Sequence, residues 1–269
     1  MKIGSQAHHA SAISTSNPRA VIVRGRDLAR ELIGEVSFTD HCWLLITGSM
    51  PSAAQRRMLD ATLVAIAEHG LVPSVQASRM TLAAAPEALQ GAVAAGILGC
   101  GSVVLGSSEA AGRFFNEISL RASAGTTMEG AARAIIQRLR ADRRAIPGYG
   151  HPEHKDEDPR AQRLLALAEE CGVAGSFVSM ARLVESLLPD SLGKALKLNV
   201  SGAIPAVLLD AGFPLLALKG IPILARTAGL IAHLLEEQQR PIGFVISHAG
   251  AEAVDYDGEL PEGFVRSDE

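Results

Sequence analysis

Pro147-Gly-Tyr-Gly-His-Pro-Glu-His-Lys-Asp-Glu-Asp-Pro-Arg160 interrupts a chain that otherwise reads as one helix after another. Pro147, Gly148 and Gly150 end a helical pattern, because proline lacks a backbone donor and glycine opens the left-handed backbone region. Asp158-Pro159 starts the next helix, with aspartate as N-cap and proline at the first helical position. The loop between holds two histidines, a lysine and three acids. Its glycines let a ligand approach the backbone closely. His151 can exchange a proton near neutral pH. Arg160, in the first turn of a helix, can grip a carboxylate through two parallel hydrogen bonds. A solvated, charged loop between helices has much the same composition, so that reading stays open here.

Working outward, composition narrows the class. The chain has 269 residues, enough for one large domain or two intimate ones. A net charge of -4 gives no electrostatic footprint for nucleic acid. Apolar residues make up 48% but aromatics only 4%, and the Ala and Leu that dominate favour helix over strand. Cys42, Cys100 and Cys171 follow no metal-binding spacing and read as reduced thiols of a cytoplasmic protein, the first two buried. The scattered histidines suggest no metal site. Met1 to His9 lacks the apolar stretch of a signal peptide, and no run reaches about 18 uninterrupted apolar residues, so a soluble protein without a membrane partner is expected.

The flanking chain supplies further candidates. Residues 1 to about 20 read as an irregular lead-in, and Ala20–Arg24 as a short strand or extended loop. Arg24–Gly34 reads as a short helix; Ser37–Gly48 and Met50-Pro-Ser52 to His69 read as longer ones, each with helical apolar spacing. His69 comes at a helix end, where capping or ligand binding is open to it. Helices are expected near 87–99, 107–124, 127–144, 159–171 and 175–188. The one over 127–144 ends in Arg138, Arg140, Arg143 and Arg144; these suit the helix dipole and can also meet an anionic ligand. Asn199-Val-Ser201-Gly202 is a turn into an apolar helix. The longest helix, about 218–237, carries Arg226 inside an apolar face, where an unpaired guanidinium is costly. Extended character is expected at 244–247.

Together these pieces resemble the citrate synthase family. Pro147, Gly148, Tyr149, Gly150, His151, Lys155, Asp158, Pro159 and Arg160 match its Pro-Gly-Phe-Gly-His…Lys…Asp-Pro-Arg signature. Arg24–Leu28, Ser37–Pro51, Glu68–Arg79 and Ala225–Gly229 through Arg240-Pro241 resemble further segments in the right order, from about residue 20 to 245. The length resembles the citryl-CoA lyase module of ATP-citrate lyase more than a full synthase. The resemblance implies an all-α, two-domain helical fold, shortened at the N-terminus. Residues 1–105 and 199–269 would form a large domain and 106–198 a small one, with the ligand cleft between. It also implies a homodimer in which Arg240 reaches the neighbour's site.

By the same resemblance His69, Arg160, Arg226 and Arg240 hold the di- or tricarboxylate. His151 is catalytic, and Pro147, Gly148, Tyr149, Gly150 and Lys155 contact the acyl-CoA thioester. No cofactor is implied beyond coenzyme A as part of the substrate. Two positions depart from the pattern. Val104 replaces the synthase histidine that binds the thioester oxygen, a residue that lyase modules also lack. Ser201 replaces the catalytic aspartate of Asn-Val-Asp, and a hydroxyl is a far weaker acid. The implied activity is cleavage of citryl-CoA, or a related 3-hydroxy-3-carboxyacyl-CoA, to an acyl-CoA and a 2-keto acid such as oxaloacetate. A non-catalytic protein that binds CoA and dicarboxylate is the alternative, with citrate synthase activity third.

Overall fold

The computed structural model describes residues 9–101, 107–150 and 155–264. Among the described residues the chain is mostly helical, with one small sheet near its start, in keeping with the all-α expectation. Strands β1 (Ser14–Asn17), β2 (Ala20–Val23) and β3 (Arg26–Asp27) pair antiparallel in chain order, with Ser14 opposite Val23 and Ile22 opposite Asp27. The Asn17 side chain accepts the N–H groups of Arg19 and Ala20 and closes the first hairpin, so the expected irregular lead-in is in part a strand. The short helix expected over 24–34 shrinks to one π-helical turn, Leu28–Leu32, capped by Asp27.

Eleven α-helices follow among the described residues: α1 (Phe38–Thr47), α2 (Ala53–Ala67), α3 (Pro73–Ala84), α4 (Leu89–Leu98), α5 (Ser107–Ser123), α6 (Met128–Ala141), α7 (Pro159–Glu170), α8 (Ser176–Leu192), α9 (Val200–Asp210), α10 (Gly220–Gln239) and α11 (Gly243–Glu252). Capping boxes Ser37/Asp40 and Ser52/Gln55 start α1 and α2, each satisfying two backbone donors that a helix start leaves open.

The chain forms two compact units. The first comprises Met1–Glu68 and Cys100–Arg226, the second His69–Gly99 and Thr227–Glu269. Residues 106–198, expected as the small domain, belong to the first unit together with the earlier and later segments that flank them.

In the first unit α9 is the axis, packed against α2, α5, α7 and α8. Every residue from Gly202 to Leu208 is buried, as expected of a helix apolar on all sides. Around it lie Met58, Phe115, Ile118, Leu165, Met180 and Leu188, and Trp43 meets Phe213 edge-on at 5.3 Å. Asp210, at the far end of α9, accepts the N–H groups of Gly175, Phe177 and Val178 and so fixes the start of α8. The N-terminal end of α9 is thereby free to carry chemistry while the rest of the helix holds the core.

In the second unit α3 packs on α4 and α11. Arg79 of α3 is 2% exposed and bonds Glu237 at 2.6 Å, Glu236 at 2.7 Å and the Arg240 carbonyl at 3.2 Å. Glu237 also accepts the N–H groups of Ile242 and Gly243, which start α11. The extended segment expected at 244–247 is therefore helix: a carboxylate from the preceding helix caps it, and Gly243 lets it lie against Ala83 and the Arg79 carbonyl.

By length and composition alone, Leu215–Gln239 is apolar enough to cross a membrane, although Lys219 and Arg226 interrupt it. Part of its apolar side is packed: Leu218, Ile221 and Ala225 join the core of the first unit and Leu234 that of the second, while Leu216, Ile231 and Leu235 stay exposed. None of the three cysteines forms a disulfide; all are half-buried, so Cys42 and Cys100 lie closer to solvent than expected. Burial still pushes the Cys42 thiol up.

Candidate active site

The first residues of the signature loop, 147–150, and the start of α9 form one piece. The Gly150 N–H donates to the Lys197 carbonyl at 2.8 Å, and the Asn199 N–H donates to the Gly148 carbonyl at 3.0 Å. Tyr149 and Leu198 form an antiparallel bridge between these bonds. The Asn199 amide donates to the Gly150 carbonyl at 2.6 Å, while its oxygen caps α9 by accepting from the Gly202 N–H. Gly148 has φ +87°, and a Cβ there would lie 2.7 Å from the Gly202 Cα. Only two glycines allow this approach. Pro147 is half-buried beside them.

Asp158 ties α7 to the same place. It is 1% exposed, and both its oxygens are engaged. Oδ1 accepts from the Arg160 backbone at 3.1 Å and from Nε at 3.0 Å; Oδ2 accepts from Arg160 Nη2 at 3.0 Å and from the Val200 N–H at 2.8 Å. Burial acts to raise the Asp158 carboxyl, but the Arg160 and Val200 hydrogen bonds and the Arg160 charge outweigh it, and the net shift is downward. Arg160 thus makes the expected two-pronged carboxylate grip, on a carboxylate of its own chain.

Ser201 is the second residue of α9 and is half-buried. Its hydroxyl oxygen accepts a hydrogen bond at 2.9 Å from Ser107, the first residue of α5. The first two residues of α9 therefore touch the starts of both α5 and α7. In the sequence the one signal Ser107 offers is a hydroxyl at a helix start, the position that Ser201 also occupies.

Tyr149 turns inward. Its hydroxyl donates to the Ala181 carbonyl at 2.8 Å and its ring meets Phe115 edge-on. Burial, and then the negative charge of Glu185, push its phenol well above the ordinary value. Beside it opens a recess of about 450 Å³ with Ile146, Tyr149 and Leu196 in its walls and Arg140, Arg144 and Lys194 among its lining residues. Arg140 also donates to the Ser191 carbonyl at 2.6 Å. Lys155 is exposed. The basic end of α6 foreseen in the sequence thus lines a cavity next to the signature loop.

Arg226 is 4% exposed, and its Nε and Nη1 are shut off from solvent with no hydrogen-bond partner among the described residues. His69 follows the C-cap of α2 and is half-buried, and Arg240 follows α10 and is exposed; both belong to the second unit. His151, His154, Glu153 and Val104 lie outside the described residues.

Residues 52–243 match the family described as citrate synthase, C-terminal domain. The citrate/2-methylcitrate synthase of Bacillus subtilis (strain 168) is 28% identical over 207 residues, covering 75% of this chain and 53% of that one. The chain thus spans about half the length of the curated relatives it matches. The citryl-CoA lyase of Hydrogenobacter thermophilus superposes with a TM-score of 0.83 at 32% identity, over 96% of this chain and 97% of that one. The ATP citrate lyase of Methanothrix soehngenii, solved with citrate and coenzyme A, shares the fold at a TM-score of 0.76 and 22% identity, over 97% of this chain and 43% of its own. By its signature loop, its fold and the match across most of its length, the chain belongs to the citrate synthase family.

Proposed function

We propose that the chain is an enzyme of the citryl-CoA lyase type, cleaving citryl-CoA or a related 3-hydroxy-3-carboxyacyl-CoA to an acyl-CoA and a 2-keto acid. The observation that carries this reading is Arg226. Two nitrogens of this buried guanidinium have no partner among the described residues, and a buried guanidinium so placed costs several kcal/mol unless an anion completes it. A carboxylate supplies two acceptors in the matching geometry. The recess lined by Arg140, Arg144 and Lys194 supports the thioester end of the reading, since it offers cations for phosphates and an apolar wall for the rest of a CoA arm. The likeness to a citryl-CoA lyase over nearly the whole of both chains favours lyase over synthase.

In this reading His151 takes the proton of the substrate hydroxyl. The carbon–carbon bond breaks, the keto acid forms, and the electron pair passes into the thioester as an enolate. Arg226 holds a carboxylate. Arg160 adds a second charge while sharing its fork with Asp158. His69 touches the oxygen that becomes the keto group, and Arg240 comes from a second copy of the chain.

A mass-spectrometric time course with citryl-CoA tests the reading. The wild type is expected to release acetyl-CoA and oxaloacetate. Arg226→Met raises KM at least ~30-fold, the low end for removing one partner of a buried charge pair. No turnover above that of His151→Ala overturns it. Ser201 favours one second reading, a protein that binds the CoA ester without cleaving it, because a hydroxyl is a poor acid or base. Citryl-CoA bound tightly and recovered unchanged after long incubation would establish that reading.

A further inference from the structure

We propose that Ser107 is a positioning residue that turns Ser201 into a hydrogen-bond donor to the thioester oxygen, in place of a carbon acid or base. The proposal rests on the lyase reading and deepens it.

A serine hydroxyl has one proton and two lone pairs. Ser107 uses its proton on Ser201, whose oxygen accepts it at 2.9 Å. The Ser201 proton therefore cannot point back at Ser107, and it has no acceptor among the described residues. Accepting one hydrogen bond polarises the O–H bond and makes it a stronger donor. The neighbouring donors are already committed: the Val200 N–H to Asp158 and the Gly202 N–H to Asn199. Ser201 is also the one half-buried residue at the head of a helix whose next seven residues are all buried. A serine kept there for packing alone would lie on the buried side, with its proton bonded to the backbone.

The step balances without a carboxylate. The base removes the hydroxyl proton as the O–H electrons become the C=O of the keto acid. The broken carbon–carbon bond gives its electron pair to the thioester, whose carbonyl oxygen becomes the enolate oxygen. The Ser201 O–H hydrogen-bonds to that oxygen and stabilises the charge as it develops. The enolate carbon then takes a proton from water, and the protonated base neutralises the hydroxide left behind.

The test is steady-state cleavage of citryl-CoA by wild type, Ser201→Ala, Ser107→Ala, Ser107→Thr and the double alanine variant, each checked by thermal unfolding. Ser201→Ala is expected to lower kcat about 10²–10³-fold, the usual loss for one oxyanion donor. Ser107→Ala lowers kcat by roughly tenfold with KM within about twofold, because it weakens that donor without removing it. Ser107→Thr, which keeps the hydroxyl, restores most of the rate. The double variant is no slower than Ser201→Ala, since Ser107 acts only through Ser201. Folded Ser107→Ala with wild-type kcat, or effects that multiply in the double variant, overturns the proposal while leaving the lyase reading intact. Absence of cleavage by the wild type overturns both.

Discussion

Gly202→Ala tests whether the signature loop and α9 are one mechanical piece. A Cβ at Gly202 would lie 2.6 Å from the Gly148 carbonyl oxygen, 2.6 Å from Leu198 Cδ1 and 3.0 Å from the Gly148 Cα. The leucine can rotate away, but Gly148 cannot, because its carbonyl and both flanks of Tyr149 are bonded to residues 197–199. Opening the contact from 2.6 Å to an ordinary 3.0–3.4 Å moves the loop backbone by about 0.4–0.8 Å. Overpacking of this kind costs ~1–3 kcal/mol. Gly148→Ala meets the same wall from the other side and adds the strain of φ +87°, another ~1–2 kcal/mol. Because both substitutions open one gap, the double variant should fall short of additivity by ~0.5 kcal/mol or more. Urea unfolding at constant m reads all three values. Tyr149 also walls the basic recess, so CoA affinity should fall alongside stability. A Gly202→Ala protein within 0.5 kcal/mol of wild type, or a strictly additive pair, would refute the reasoning.

Other perturbations act on the clasps and the recess. Asp158→Asn leaves Arg160 without its charge partner and should cost ~3–5 kcal/mol in urea unfolding. Because the folded-state pKa of Asp158 is lowered, its contribution is fully present above its unfolded value of about 3.9 and is lost as pH falls through the lower folded value. Urea midpoints for wild type and Asp158→Asn should therefore differ at pH 6 and converge in strong acid. Arg79→Met strands Glu237, which is 3% exposed, at ~3–5 kcal/mol, whereas Arg79→Lys keeps a charge but cannot serve Glu236, Glu237 and the Arg240 carbonyl together, so its urea midpoint should lie in between. Lys194→Glu should weaken CoA binding in titration calorimetry, most at low ionic strength, and leave citrate binding unchanged.

How much of this the sequence carried depended on how local each cause was. Helix starts were readable where the cap lies within three residues: Ser37 with Asp40, Ser52 with Gln55, Asp158 with Pro159, Asn199 with Gly202. The start of α11 was not, because its cap is Glu237 at the end of another helix, held there by Arg79 from a third. Val245-Ile246 then read as extended on their β-branched side chains, and tertiary contacts overrode them. The site divided the same way. Arg226 stood out as a lone charge on an apolar helix face, and the structure adds that two of its nitrogens have no partner among the described residues. The inward turn of Tyr149, and the use of Arg160 on Asp158, depend on the hydroxyl's bond to Ala181 and on a backbone bond from Val200, neither of which a spacing rule contains. Ser107 and Ser201 lie 94 residues apart, and only the packing of α5 on α9 brings them together.

That packing also explains how position 201 can change without rebuilding the site. The frame rests on Asn199, Gly202, Asp158 and the loop backbone, none of which uses the side chain at 201. Restoring an acid there should therefore be tolerated. Ser201→Asp places a carboxylate in the first turn of α9, where the helix dipole favours negative charge by ~0.3–1 kcal/mol, and the Ser107 hydroxyl can donate to it as it now donates to Ser201. Thermal unfolding should put the variant level with wild type or slightly above. A loss of more than about 2 kcal/mol, the scale of a broken buried network, would mean that the Ser201 side chain is itself part of the frame. With stability unchanged, any new dependence of citryl-CoA cleavage on pH belongs to the carboxylate alone, because a serine hydroxyl does not titrate in the range where an aspartate does.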